Sequence, residues 1–331
     1  MEPNEPFLPY QQPDRTWEIW ESTKDYRNYI EEMVVKGKFH PLVPKHVVDS
    51  YLIAEHIMAH AYYHYPMYDE ALTKLLGIAE MAIKLRCTEL GIELVTNQTR
   101  QGKTVIIEKK LVQLINELTA IEPAKDIKYN LDWLRRVRNT RMHPKQYGFA
   151  GSMVRSPIQW GVVILNKLFM PEATLVSFKV ELQSMNAKVA AFKGAALIME
   201  YESKGYLVER CEIREAVKVG NEWLYLLVAY PISINTADNL ATHSYLQLFM
   251  FFVKRITACN GSLSAIEIAS NNRVTVKHSI HPQDIANYDK SRMDWAAAKM
   301  ENQRVYESST EMDIGNKESE FLYRYLYIAT N

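Results

Sequence analysis

The chain has 331 residues, enough for two domains of average size, and its 47% hydrophobic and 24% charged residues are a globular composition. Lys plus Arg and Asp plus Glu number 39 each, so the formal net charge is zero, which excludes a uniformly basic nucleic-acid coat and an acidic disordered tail. Cys87, Cys211 and Cys259 are far apart and form no C-x-x-C pair, which supports neither a disulfide framework nor a cysteine zinc site and fits a reducing cytoplasm.

The first residues carry neither the basic nor the apolar region of a secretory signal. The most apolar run, 245–256, contains Gln247, Lys254 and Arg255 and is too short to span a bilayer. A soluble, cytoplasmic protein with no membrane contact is expected.

Residues 1–44 hold six of the 13 prolines and read as an irregular arm with one short helix over 17–35 and exposed aromatics. Helices are expected over 45–64, ended by Pro66, and over 67–90, where Leu72, Leu75, Leu76, Ala79, Ile83 and Leu90 form one apolar stripe before Gly91. Residues 92–103 look polar and turn-like. Helical periodicity resumes over 106–118, again over 129–142, and after a glycine-containing loop over 157–169. Five helices with short connections and no strand signal predict an all-α bundle over 45–170.

The pattern changes after Pro171. The alternation LVSFKVEL over 175–182 predicts a strand, and 208–219 with 222–232 flank a Gly220-Asn221 hairpin turn. A second hairpin is expected from 263–269 and 273–278, a last strand over 321–328, and helices near 188–201, 239–258 and 282–306. The fold class is therefore α+β in two domains, an N-terminal helical bundle followed by a mixed α+β domain over 171–331.

The segment LRRVRNTRMHP over 134–144 carries the chemistry. Residues 123–145 contain seven Lys or Arg and two acids, a net +5 in a neutral chain, which is a phosphate-binding footprint on a helix end or, more plainly, a solvated basic face. Asn139 and His143 share a helix face, and Pro144 ends the helix, freeing the imidazole to swing toward Arg138. Arg binds phosphate through two donors and His exchanges a proton near neutral pH, so the pair is equipped to cleave RNA without a metal or other cofactor.

Arg138-Asn139-Thr140-Arg141-Met142-His143 resembles the R-N-x-x-x-H signature of the HEPN superfamily of helical nucleases. The resemblance covers roughly 45–170. It implies a HEPN-like bundle and a metal-independent endoribonuclease with Arg138, Asn139 and His143 catalytic. Arg135, Arg136, Arg141 and Lys145 would bind the RNA backbone. It further implies a homodimer through the bundle, with two motifs facing one cleft, and a setting in antiviral defence or a toxin–antitoxin pair. Lys145 stands where some members of the superfamily carry a tyrosine that a partner nucleotidyltransferase modifies, which argues against that form of neutralisation. The rival readings are a non-catalytic module that holds RNA or a nucleotide, and a structural subunit of a defence complex. Residues 171–331 carry no catalytic signature and are left as a sensor for a regulatory partner or ligand, a dimerisation platform or an RNA clamp.

Weaker signals are set beside this one. Arg273 and His278 repeat the R-x4-H spacing without the Asn or the basic surroundings. Gly102-Lys103-Thr104 resembles the end of a P-loop but lacks its first glycine. His56, His60 and His64 recur every four residues, read as a polar or interfacial stripe rather than half a metal site. Glu80 reads as lying at the solvated boundary of the bundle, with pairing to an arginine of the motif helix as the alternative. Tyr62, Tyr63 and Tyr65 read as packing, with base stacking as the alternative.

Overall fold

The structure is a computed structural model that describes residues 9–19, 23, 25–100, 103–142, 150–259 and 261–329. The chain divides into two compact units, Met1–Leu175 and Val176–Asn331. Among the described residues no single helix is long and apolar enough to cross a membrane.

In the first unit, helices form where apolar residues recur every three or four positions. They are α1 (Tyr26–Met33), α2 (Lys45–His60), α3 (Met67–Glu89), α4 (Leu111–Ile121), α5 (Lys128–Met142) and α6 (Arg155–Phe169). The Asp25 carboxylate caps α1 by accepting from the Asn28 N–H at 2.9 Å. The stripe read along α3 is buried from Leu72 to Ile83, Leu90 lies just past the helix and is half-buried, and α3 is the central helix, touching α2, α4, α5 and α6. Helix α6 packs on α3 at Gly161, where an added Cβ would overlap the buried Leu75 side chain. Gly161→Val should therefore overpack the core and lower the melting temperature by roughly 5 °C. Gly77→Ala, whose Cβ would meet nothing within 4 Å, should be neutral or stabilise by up to about 1 kcal/mol. Thermal denaturation of the two variants side by side checks the contrast.

The second unit is built on a closed antiparallel barrel in which every strand pairs with its sequence neighbours and the last returns to the first. Its strands are β3 (Leu197–Tyr201), β4 (Lys204–Val219), β5 (Glu222–Pro231), β6 (Phe249–Cys259), β7 (Ser262–Glu267) and β8 (Arg273–His278). Gly220, at φ +56°, and Asn221 form the two-residue turn expected between β4 and β5. Alternate residues such as Leu197, Met199, Leu263, Ala265, Val274 and Val276 fill the interior. Strand β4 pairs with β3 only as far as Val208 and with β5 from Val208 to Val219. Where it has left β3, the Asn186 side-chain amide donates to the Ile213 carbonyl at 2.8 Å and accepts from its N–H at 3.0 Å. Asn186 lies on α7 (Glu172–Val189); α8 (Thr236–Thr242), α9 (Pro282–Ala297) and α10 (Met300–Tyr325) complete the unit. Helix α10 covers the barrel's outer face, with Phe321 against Phe252 at 5.3 Å between ring centroids.

Several expectations are corrected. The helical half contains a hairpin, β1 (Val95–Arg100) with β2 (Lys103–Glu108), in place of a turn and the start of a helix. Ile106, 69% exposed, belongs to this hairpin, and the buried helical stripe starts only at Leu114. Among the described aromatics of the 1–44 segment, Tyr10 and Tyr26 are exposed as expected, but Trp17 and Tyr29 are core residues. Trp17 is buried and donates to the Ala61 carbonyl at 2.9 Å, and Tyr29 donates to that of Met58 at 2.6 Å. The alternating 175–182 sequence is helical within α7, because Leu175, Phe178, Met185 and Val189 are buried at helical spacing. The helix expected over 188–201 ends at Val189 and gives way to β3. Of the helix expected over 239–258, only 239–242 is helical, within α8, and the second half is strand β6, whose apolar start reflects burial on both faces. The strand expected over 321–328 is the end of α10 and a 3-10 turn, and 282–306 is split between α9 and α10.

Candidate active site

Helix α5 ends at Met142, so the described part of the R-N-x-x-x-H stretch occupies its last turn. His143 and Lys145 lie outside the described residues. Buried Leu131 and Leu134 hold one face of α5 in the core, which turns Arg136, Asn139 and Thr140 to solvent.

Arg138 reaches from α5 to α3. Its Nη2 meets Glu80 Oε2 at 2.7 Å, and its Nη1 donates to Asn139 Oδ1 at 3.3 Å. Glu80 also takes Lys84 at 3.1 Å, one helical turn away. Glu80 is thus the carboxylate that positions the motif arginine. A surface depression of about 420 Å³ opens beside this pair, between Ile57 of α2 and Glu70, Thr73, Lys74 and Gly77 of α3. The bare Cα of Gly77 leaves it open.

The neighbouring arginines are also partnered. Arg135 Nε meets Asp132 at 3.0 Å, and the Arg136 guanidinium lies 5.8 Å from the Tyr129 ring centroid. Arg141 Nη1 meets Asp69 Oδ1 at 2.5 Å. Asp69 is the residue sequence reasoning missed. It is buried, and besides Arg141 it accepts from the backbone N–H groups of Ala150 at 3.3 Å and Gly151 at 2.7 Å. One carboxylate therefore ties the chain on both sides of the stretch that carries His143. An acidic residue in the first turn of a helix is ordinary, and nothing near Asp69 in sequence announces partners at 141 and 151. Tyr65 reinforces the second tie, with its hydroxyl accepting from the Ser152 N–H at 2.7 Å. Gly151, at φ +53°, meets the Tyr65 ring where a Cβ would stand.

Lys125 is not part of a basic surface. Its side chain is fully buried, donating to the Leu168 carbonyl at 2.8 Å and pairing with Glu122 at 3.0 Å, while Glu122 also takes Arg86 at 2.5 Å. Burial would raise the Glu122 pKa, but hydrogen bonds from Arg86 and Lys125 outweigh it and hold the carboxyl below its ordinary value. Three of the five Lys and Arg of α5 are therefore paired with carboxylates, Asp132, Glu80 and the buried Asp69, and the local positive surplus is smaller than the sequence suggests.

The other singled-out residues fall elsewhere. Tyr62 and Tyr63 pack with Tyr26, and Tyr65 meets the Trp17 ring at 4.7 Å, so these rings serve packing. His56, His60 and His64 are exposed, and among the described residues no three His, Cys, Asp or Glu side chains converge as a metal site would require. Arg273 and His278 stand at opposite ends of β8, with His278 stacked on Phe192 at 5.5 Å. Lys103 and Thr104 belong to β2, and Gly102 lies outside the described residues.

Comparison with protein families, with curated proteins and with solved structures yields no match to this chain.

Proposed function

We propose that the protein is a metal-independent endoribonuclease of HEPN type, acting in antiviral defence or as the toxin of a toxin–antitoxin pair. One observation carries the reading. The Arg138–His143 stretch begins on the last turn of a helix packed in a helical unit, and Glu80 fixes its arginine at 2.7 Å. Arg138 would stabilise the charge that builds on the phosphate oxygens. His143 would take the proton of the ribose 2′-hydroxyl or give one to the leaving 5′-oxygen, and Asn139 would orient it. The 2′-oxygen forms a bond to phosphorus as the bond to the 5′-oxygen breaks, leaving a 2′,3′-cyclic phosphate and a 5′-hydroxyl. Arg135, Arg136, Arg141 and Lys145 would hold the RNA backbone. A homodimer through the helical unit would face two motifs across one cleft. The deciding experiment is cleavage of single-stranded RNA by the full-length protein in excess EDTA, with His143→Ala as its control.

A second reading is favoured by the carboxylates. Arg135, Arg138 and Arg141 each carry one, which offsets the charge a transition state would draw on and fits a module that holds RNA or a nucleotide without cutting it. Glu80→Gln separates the two. If Glu80 positions a catalytic arginine, the substitution should lower kcat by about 10- to 100-fold while KM for RNA stays level or falls. In a binding module, releasing Arg138 from its anion should only tighten RNA binding. Steady-state cleavage and RNA titration of the same variant check both.

A further inference from the structure

A group of aromatic and charged side chains distinct from α5 lies within the second unit. A cavity of about 430 Å³ opens between the β4–β5 wall of the barrel and α8, α9 and α10. Its wall is a cluster of rings. Trp295 meets Tyr306 at 5.3 Å and 72°, and Tyr245 meets Tyr306 at 5.0 Å and 83°. Two arginines also line it. The Arg210 guanidinium stands 4.0 Å from the Tyr230 ring centroid, and that of Arg292 stands 5.7 Å from the Tyr288 centroid. A second cavity of about 400 Å³ shares Glu209, Arg210, Tyr230 and Arg292 with the first, so both arginines stand where the two spaces adjoin.

The next arginine along β4 shows what a structural one looks like here. Arg214 holds Glu212 at 3.2 Å, Glu311 at 3.0 Å and Glu318 at 2.8 Å, pinning α10 to the barrel. Arg210 and Arg292 have tyrosine rings in place of close carboxylates: among the described residues none is in ion-pair contact with either, and Glu209 and Glu212 act on Arg210 from further off. Two such guanidinium groups lining the same space supply the charge and the paired donors that bind a phosphate. A ring-lined cavity of this volume matches a flat heterocycle. Glu209 and Glu307, which also line it, are acceptors suited to ribose hydroxyls or an exocyclic amino group. A bare anion makes no use of the rings, and a cationic amine makes no use of the arginines. A nucleotide uses all three.

We propose that the second unit binds a nucleotide in this cavity, with the base against Trp295 and Tyr306 and the phosphate on Arg210 and Arg292. The proposal stands whether or not the helical unit is a nuclease, because every residue in it lies between positions 209 and 307. Calorimetric titration of the full-length protein with AMP, GMP, CMP and UMP tests it. At least one should bind, and the matching nucleoside and inorganic phosphate should each bind at least about tenfold more weakly. Arg210→Met and Arg292→Met should each weaken the nucleotide by about tenfold or more and leave the nucleoside unchanged, at an unaltered melting temperature. No heat with any of the four at about 5 mM overturns the proposal. So does phosphate binding as tightly as the nucleotide, a result that needs no variant to fold.

Discussion

His143→Ala should cleave single-stranded RNA about 10²–10⁴-fold more slowly than the unsubstituted protein, the usual cost of removing a positioned proton-transfer group. Arg138→Ala should lose a similar amount, about 3 kcal/mol of transition-state stabilisation by comparison with oxyanion donors. Excess EDTA should leave cleavage intact, since protonation and charge stabilisation by side chains require no divalent ion. DNA should be untouched, because it lacks the 2′-hydroxyl that attacks. Arg273→Ala and His278→Ala, at the two ends of β8, should cleave at nearly the unsubstituted rate. Product ends identified by mass spectrometry, and the toxicity in cells of the unsubstituted protein against His143→Ala, complete the measurement. Loss of activity in EDTA, or a His143→Ala rate equal to that of the unsubstituted protein, would overturn the proposed chemistry.

Asp69→Ala should have the largest effect on the fold around α5. The carboxylate is buried and serves Arg141 together with the N–H groups of Ala150 and Gly151. Its removal leaves a largely buried guanidinium and two N–H groups without an acceptor, a loss of about 3–5 kcal/mol for a broken buried pair. The melting temperature should fall by roughly 10 °C or more. Asp69→Asn, which keeps an acceptor oxygen but not the charge, should recover part of that loss. Proteolysis should reach the chain between Arg141 and Ala150 sooner in Asp69→Ala than in the unsubstituted protein. Equal melting temperatures and equal cleavage times for the three proteins would show that the ties at 141 and 150–151 are dispensable.

The helices that build the candidate site were legible because each exposes one face and buries the other. The stripe of α3 and the spacing of Leu131 and Leu134 on α5 follow from that alone. The partners of the arginines were less legible. Glu80 could be suspected because it interrupts an apolar stripe, but Asp69 sits in a first helical turn where acids are common. Lys125 counted toward the basic surface until its contact with the Leu168 carbonyl put it inside. In the second unit, periodicity failed where burial is two-sided or where two periods coincide. The first half of strand β6, Phe249 to Val253, is apolar without alternation because Phe251 and Val253 face the barrel interior while Phe252 meets Phe321 outside it. In 175–182 a period of two overlies buried residues at Leu175 and Phe178 that continue at helical spacing to Met185 and Val189.

The Asn186 amide on Ile213 limits how this unit can be engaged. A side-chain amide presents the same donor and acceptor as a peptide bond, so Asn186 acts as one residue of an absent neighbouring strand at the point where β4 has lost β3. An edge left open there would template the addition of another extended chain, the usual route to aggregation. With the two Ile213 groups already taken, an incoming peptide finds no backbone partner at that position. Recognition there falls to side chains and cavities instead of to strand addition.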